Sequence, residues 1–114
     1  MRISRRFTVA GEDPFARIPF ETRECRIVDP DGTVIFAAAD IVVPAAWSQV
    51  AADILAQKYL RRRGVPAFTR RVAEPGVPPW LQRSVPDEAA LAALPADAQN
   101  GGERDARQVF HRLA

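Results

Sequence analysis

A chain of 114 residues has room for one small domain and not two. Its 47% apolar and 26% charged residues are those of an ordinary globular protein, and the net charge of +2 is too small to argue for a nucleic-acid partner. A single cysteine excludes an internal disulfide and a thiolate metal cluster, and no stretch approaches the roughly 20 apolar residues of a membrane span.

Residues 1–20 read as an arm. The basic start, Met1 to Phe7, has no apolar run behind it, because Gly11-Glu12-Asp13-Pro14 interrupts too soon for a signal peptide. With one cysteine, a reducing, cytoplasmic setting is expected. The arm should pack only through Phe7, Phe15 and Phe20. Thr22 to Val28 and Thr33 to Ala37 are strand-like and flank Asp29-Pro30-Asp31-Gly32, where Pro presets φ and Gly accepts a positive φ. A hairpin is predicted there, with Ile41-Val42-Val43 as a third short run ended by Pro44.

The spacing of Trp47, Val50, Ala51, Ile54, Leu55 and Tyr59 predicts a helix over 46–63. Trp47, Val50, Ile54, Leu55 and Tyr59 should be its buried positions. Gly64 is expected as a left-handed cap, and Arg61, Arg62 and Arg63 as cations on the last turn's carbonyls that are also placed to contact a partner, a reading preferred to phosphate binding. Five prolines between 66 and 86 leave room only for a helical turn or two at Phe68 to Ala73. Asp87-Glu88 opens a short helix over 87–94. After Asn100-Gly101-Gly102, the stripe Ala106, Val109, Phe110, Leu113 predicts a last helix, still running at Ala114, so the sequence reads as truncated.

Chemistry-bearing residues are few. His111 is the only histidine and flanks the packed face, where a structural role is preferred to catalysis. Cys25 lies mid-strand with no second thiol beside it and reads as a structural thiol. The pairs Asp29/Asp31 and Asp87/Glu88 are explained by a turn and a helix start, while Glu21, Glu24, Glu103 and Asp105 are scattered. Gly101-Gly102 lacks the Lys-Ser/Thr of a phosphate loop. Trp47 and Trp80 near arginines could stack on single-stranded nucleic acid, but core packing is the preferred reading.

Particular stretches say more. Arg5-Arg6-Phe7-Thr8 leads through Asp13-Pro14-Phe15 to Phe20-Glu21-Thr22-Arg23, and Asp29 to Phe36 carries the hairpin. Trp47-Ser48-Gln49-Val50-Ala51 and Asp53 to Tyr59 run to Gly64-Val65-Pro66. Trp80-Leu81, Arg83 to Glu88, Gly101-Gly102-Glu103 and Asp105 to Ala114 continue the series. In this order they resemble the N-terminal region of bacterial adenosylcobalamin-dependent (class II) ribonucleotide reductases. The resemblance departs at Gln82, where a second tryptophan is expected, and at Ala37-Ala38-Ala39, which is less acidic than the family.

The resemblance implies an α+β fold. An N-terminal arm and small antiparallel β-hairpin (1–44) would precede a helical part (45–114) of one long and several short helices, ahead of the family's ten-stranded α/β barrel. That barrel holds the family's radical cysteine, redox cysteine pair, adenosylcobalamin and effector sites. Cys25 matches none of those cysteines, so the segment is expected to carry no catalytic, cofactor-binding or metal residue and to be inactive alone. Its implied partners are the remainder of the reductase chain and, for the whole enzyme, a ribonucleotide and a thioredoxin-type dithiol. No direct nucleic acid and no membrane are implied. An independent interaction or regulatory module, or one chain of a split reductase, is the alternative.

Overall fold

The turn chemistry at Asp29-Pro30-Asp31-Gly32 produces the reversal expected of it. The Gly32 N–H donates to the Asp29 carbonyl at 2.9 Å, Gly32 takes φ +90°, and the Asp31 carboxylate accepts from the Thr33 N–H at 2.9 Å. The computed structural model describes residues 1–114, and in it this turn joins β1 (Phe20–Val28) to β2 (Val34–Pro44) as an antiparallel pair. The separate run expected at Ile41-Val42-Val43 is the second half of β2. Pairing survives because β2 absorbs an extra residue between Ala38 and Ile41, where Asp40 sits at φ +58°, as in a β-bulge.

Helix α1 is shorter than its apolar spacing suggests. It spans Gln49–Lys58, with the Ser48 hydroxyl accepting from the Ala51 N–H at 3.1 Å as N-cap. The buried face is also different: Ala52, Leu55 and Ala56, with Leu60 beyond the end, enter the core. Val50 is 66% exposed, Ile54 48% and Tyr59 57%. Of the five positions expected to be buried, only Leu55 is fully so. The sheet presents a narrow surface, and the small side chains Ala52 and Ala56 let α1 approach it closely.

Arg61, Arg62 and Arg63 lie beyond the helix, and of the three only Arg62 reaches back to its last turn, donating to the Gln57 carbonyl at 3.5 Å. Gly64 is left-handed at φ +77°, but it stands six residues past Lys58 and caps nothing. The helix ends where residues distant in sequence capture its exit. The Arg61 N–H donates to the Glu103 carboxylate at 2.9 Å, and Arg61 accepts from the Glu103 N–H at 2.8 Å. This pairing continues as β3 (Val65–Pro66) against β6 (Asn100–Gly101). Gly102 passes so close that a Cβ there would meet the Arg62 carbonyl at 3.0 Å.

The helical turns expected at Phe68 to Ala73 are absent. β4 (Thr69–Arg71) pairs antiparallel with β5 (Ser84–Pro86), and a 3₁₀ turn at Pro79–Leu81 lies between them. Prolines on both sides leave a piece too short for a helix, whereas three residues suffice for a ladder. Residues 45–114 thus hold strands as well as helices. α2 (Glu88–Ala92) is capped by Asp87, a 3₁₀ turn covers Ala96–Ala98, and α3 (Ala106–Leu113) begins with a capping box of Asp105 and Gln108.

The core is small. Cys25, Ile41 and Val43 from the hairpin meet Ala52, Leu55, Ala56 and Leu60, and α3 adds Ala106 and Val109. Phe110 and Leu113, expected on the same stripe, are exposed. The arm docks through an aromatic group. Phe15 meets Phe20 edge-on at 6.0 Å and Phe110 at 6.2 Å, while Phe7, 90% exposed, packs on nothing in the core. The chain exposes 8510 Å², against about 6,200 Å² for a compact protein of 12.6 kDa.

Candidate functional site

Three clusters carry the polar chemistry. In the first, the β4–β5 ladder and α3 bring Arg71, Ser84 and His111 together. The Arg71 guanidinium lies against the imidazole, with Nη1 2.9 Å from Nδ1 and in contact with Nε2, and it donates to the Gln82 carbonyl at 2.6 Å. The Ser84 hydroxyl is 3.4 Å from Nε2. Burial, then the Arg71 charge, lowers the His111 pKa, against a backbone hydrogen bond at Trp80 that raises it. A histidine that activates a serine needs a carboxylate to orient it and stabilise its cation. Here an arginine occupies that place and opposes the cation. A cavity of about 250 Å³ opens beside the cluster, walled mainly by Phe15, Trp80, Leu81 and Phe110.

The second cluster is Glu103, the one buried charged side chain. Besides the Arg61 N–H, it accepts from Arg112 Nε and Nη2, both at 3.1 Å, and Arg112 also donates to the Tyr59 carbonyl at 2.9 Å. Burial raises its pKa, but the hydrogen bonds from Arg112 and Arg61 outweigh it and hold the carboxyl below the ordinary glutamate value. Glu103 therefore ties three chain segments into one joint. Sequence reasoning left it among the scattered carboxylates. Its one local signal was an acidic residue directly after Gly101-Gly102.

The third is Cys25, buried in the core with its thiol pushed up to about 11, by burial first and then by the Asp53 carboxylate. Such a thiol is neutral and unreactive at pH 7. The remaining carboxylates keep local roles. Asp87 accepts from the Ala90 N–H at 3.1 Å, and Asp105 holds Arg107 through contacts of 2.6 to 3.1 Å while Arg107 covers the Phe20 ring at 4.3 Å. No three His, Cys, Asp or Glu side chains gather as metal ligands, and no helix is long and apolar enough to cross a membrane. Trp47 lies at the edge of the core, and Trp80 lines the small cavity.

Comparison with known proteins gives this geometry its context. A family model described as class II vitamin B12-dependent ribonucleotide reductase matches residues 21–114. The chain belongs to that family. A vitamin B12-dependent ribonucleotide reductase of Agrobacterium fabrum is 54% identical over all 114 residues, and one of Bradyrhizobium diazoefficiens is 49% identical over the same length. One of Rhodopirellula baltica is 39% identical over 49 residues, 43% of this chain. The chain spans 9% of the length of the first two relatives and corresponds to their N-terminal region. The resemblance read from the residues is thus the family found.

The relatives' names state a dependence on vitamin B12, and the residues here do not fit that cofactor. A corrin is bulkier than the drug-sized ligands that fill roughly 300–1,000 Å³. The hollows beside the His111 and β2 clusters measure about 250 and 480 Å³. The single imidazole that could face a cobalt is held by Arg71.

Proposed function

We propose that this chain is the N-terminal scaffold segment of an adenosylcobalamin-dependent reductase that converts ribonucleoside diphosphates to 2′-deoxyribonucleotides. The observation that carries the reading is the match itself: all 114 residues align, yet they span only 9% of the relatives' length. The exposed surface supports it, since about 2,300 Å² more is open than a compact chain of this mass would leave. Residues 1–114 would then form one N-terminal domain whose bare faces pack on the remainder of the reductase.

The chemistry requires one thiol to become a radical and two more to deliver reducing equivalents, with a thioredoxin-type dithiol restoring them. This chain has only Cys25, buried and held protonated. The cofactor would supply the initiating radical within the rest of the polypeptide. The work of this segment is then positional: Glu103 and Arg112 lock α3 to the exit of α1, and the hairpin presents its outer surface to a neighbour.

Deletion and restoration test the proposal. The 114-residue chain should show no ribonucleotide reduction with adenosylcobalamin and a dithiol, and should not perturb the cofactor's visible spectrum. A reductase lacking the segment should lose activity or solubility and regain it when the chain is supplied separately. Turnover by the chain alone, or full activity without it, would overturn the reading.

A further inference from the structure

We infer that the outer edge of β2 is a strand-docking site for an extended acidic segment of the reductase polypeptide outside these 114 residues. The inference rests on the scaffold reading above and names what one of its bare surfaces holds.

β2 pairs with β1 on one side only. On its other side a single backbone pairing is made, at the far end, where the Val42 N–H donates to the Arg104 carbonyl at 2.7 Å and Val42 bridges Asp105 in parallel. The edge is therefore already used for strand pairing at one point and open over 34–41. Exposed edges are ordinarily guarded by charge, proline or a bulge. β1 follows that rule, with Glu21, Arg23, Glu24 and Arg26. β2 carries its bulge and its one charge at Asp40, but from Val34 to Ala39 it has neither a charge nor a proline.

β2 from Ile35 to Ile41 lines a hollow of about 480 Å³ together with Leu60, Arg61 and Arg62. Its one acid, Glu103, is neutralised by Arg112. Arg104 faces Asp40 at 3.6 Å. The Arg61 and Arg62 guanidiniums form no ion pair within 4 Å, although the Arg61 charge acts on Glu103; Arg62 covers the Phe36 ring at 5.2 Å and donates to the Gln57 carbonyl. A strand laid along β2 would take its backbone hydrogen bonds and set acidic side chains beside these two guanidiniums. A second copy pairing edge to edge would oppose two arginine rims. Nucleic acid would leave the peptide edge unpaired.

Hydrogen exchange in the full-length reductase carrying this chain is the test. Those amides in 34–41 that face away from β1 should be protected, and Arg61→Glu with Arg62→Glu should speed their exchange about tenfold or more. Arg61→Lys with Arg62→Lys, which keeps the charge, and Arg17→Glu, remote from the groove, should leave it unchanged. A benzophenone side chain at position 35 should cross-link to an acidic stretch of the same polypeptide. Unprotected amides, protection indifferent to charge reversal, or cross-links to a second copy or to nucleic acid would overturn the inference. An enzyme that is active with a bare β2 edge sinks only this inference. An enzyme that needs no segment at all sinks the scaffold reading.

Discussion

Glu103 shows how a single buried charge organises this chain. Its carboxylate is reached by a guanidinium nine residues along and a backbone N–H 42 residues back. Replacing it with Ala strands Arg112 and the Arg61 N–H, and should cost about 3 kcal/mol. Glu103→Gln keeps an acceptor and should cost about 1–2 kcal/mol, read by urea denaturation. The pH dependence follows from the depressed pKa: the stabilisation is present above the ordinary glutamate value and is lost as pH falls through the lower, folded one. His111 adds to acid sensitivity earlier. Its folded pKa is also lowered, so its protonation below about pH 6.5 favours the unfolded chain. Glu103→Gln should flatten the loss below about pH 4.3, leaving the His111 portion in place. Cys25 offers a separate check. Iodoacetamide at pH 8 should modify it about a hundredfold more slowly in the folded chain than in urea, given the rise from 9.0 to about 11. Equal rates would mean that the core is open. The structural roles of Cys25 and His111 were legible in the residues, but that of Glu103 was not, because its partners are set by how the β3–β6 ladder brings distant segments together.

Elements were legible where their cause is local. The Asp29–Gly32 turn and the helix start at Asp87 each depend on a few adjacent side chains, and the chain follows them, while the equally local α3 capping box of Asp105 and Gln108 was passed over as scattered charge. Helix α1 was misjudged because its end is imposed from outside, by Glu103 and Gly102 on Arg61 and Arg62. β4 was missed because a three-residue strand has no period of its own; Thr69, Val72 and Val85 between prolines were the available hints. The burial pattern of α1 gives a paired prediction. Leu55→Ala should destabilise by about 2–5 kcal/mol, whereas Ile54→Ala, on an exposed face, should cost under about 1 kcal/mol. Chemical denaturation of both variants decides it, and equal losses would restore the burial expected from spacing. Gly102→Ala should cost about 1–3 kcal/mol, since its Cβ would press on two backbone carbonyls that cannot withdraw without breaking the joint.

At the scale of the molecule, surface is the quantity that does not balance. The Cα radius of gyration is 16.9 Å, against about 13 Å for a compact chain of this length, and only 12 of 114 residues are buried. The arm, the open β2 edge and the Val50 and Ile54 face are among the regions that contribute to this. The excess of about 2,300 Å² falls in the range of obligate interfaces rather than of transient contacts. Burying it against a matching area should therefore give a large heat-capacity change. With apolar burial lowering the heat capacity by about 0.45 cal/K/mol per Å² and polar burial partly offsetting it, the change should be roughly −0.5 to −1 kcal/mol/K. Titration calorimetry at several temperatures, with this chain added to a reductase that lacks it, measures that slope. A value in this range would mean that the bare faces enter the assembled core. Binding with a slope near zero would mean that the segment docks through a small patch and that its open surface stays in water.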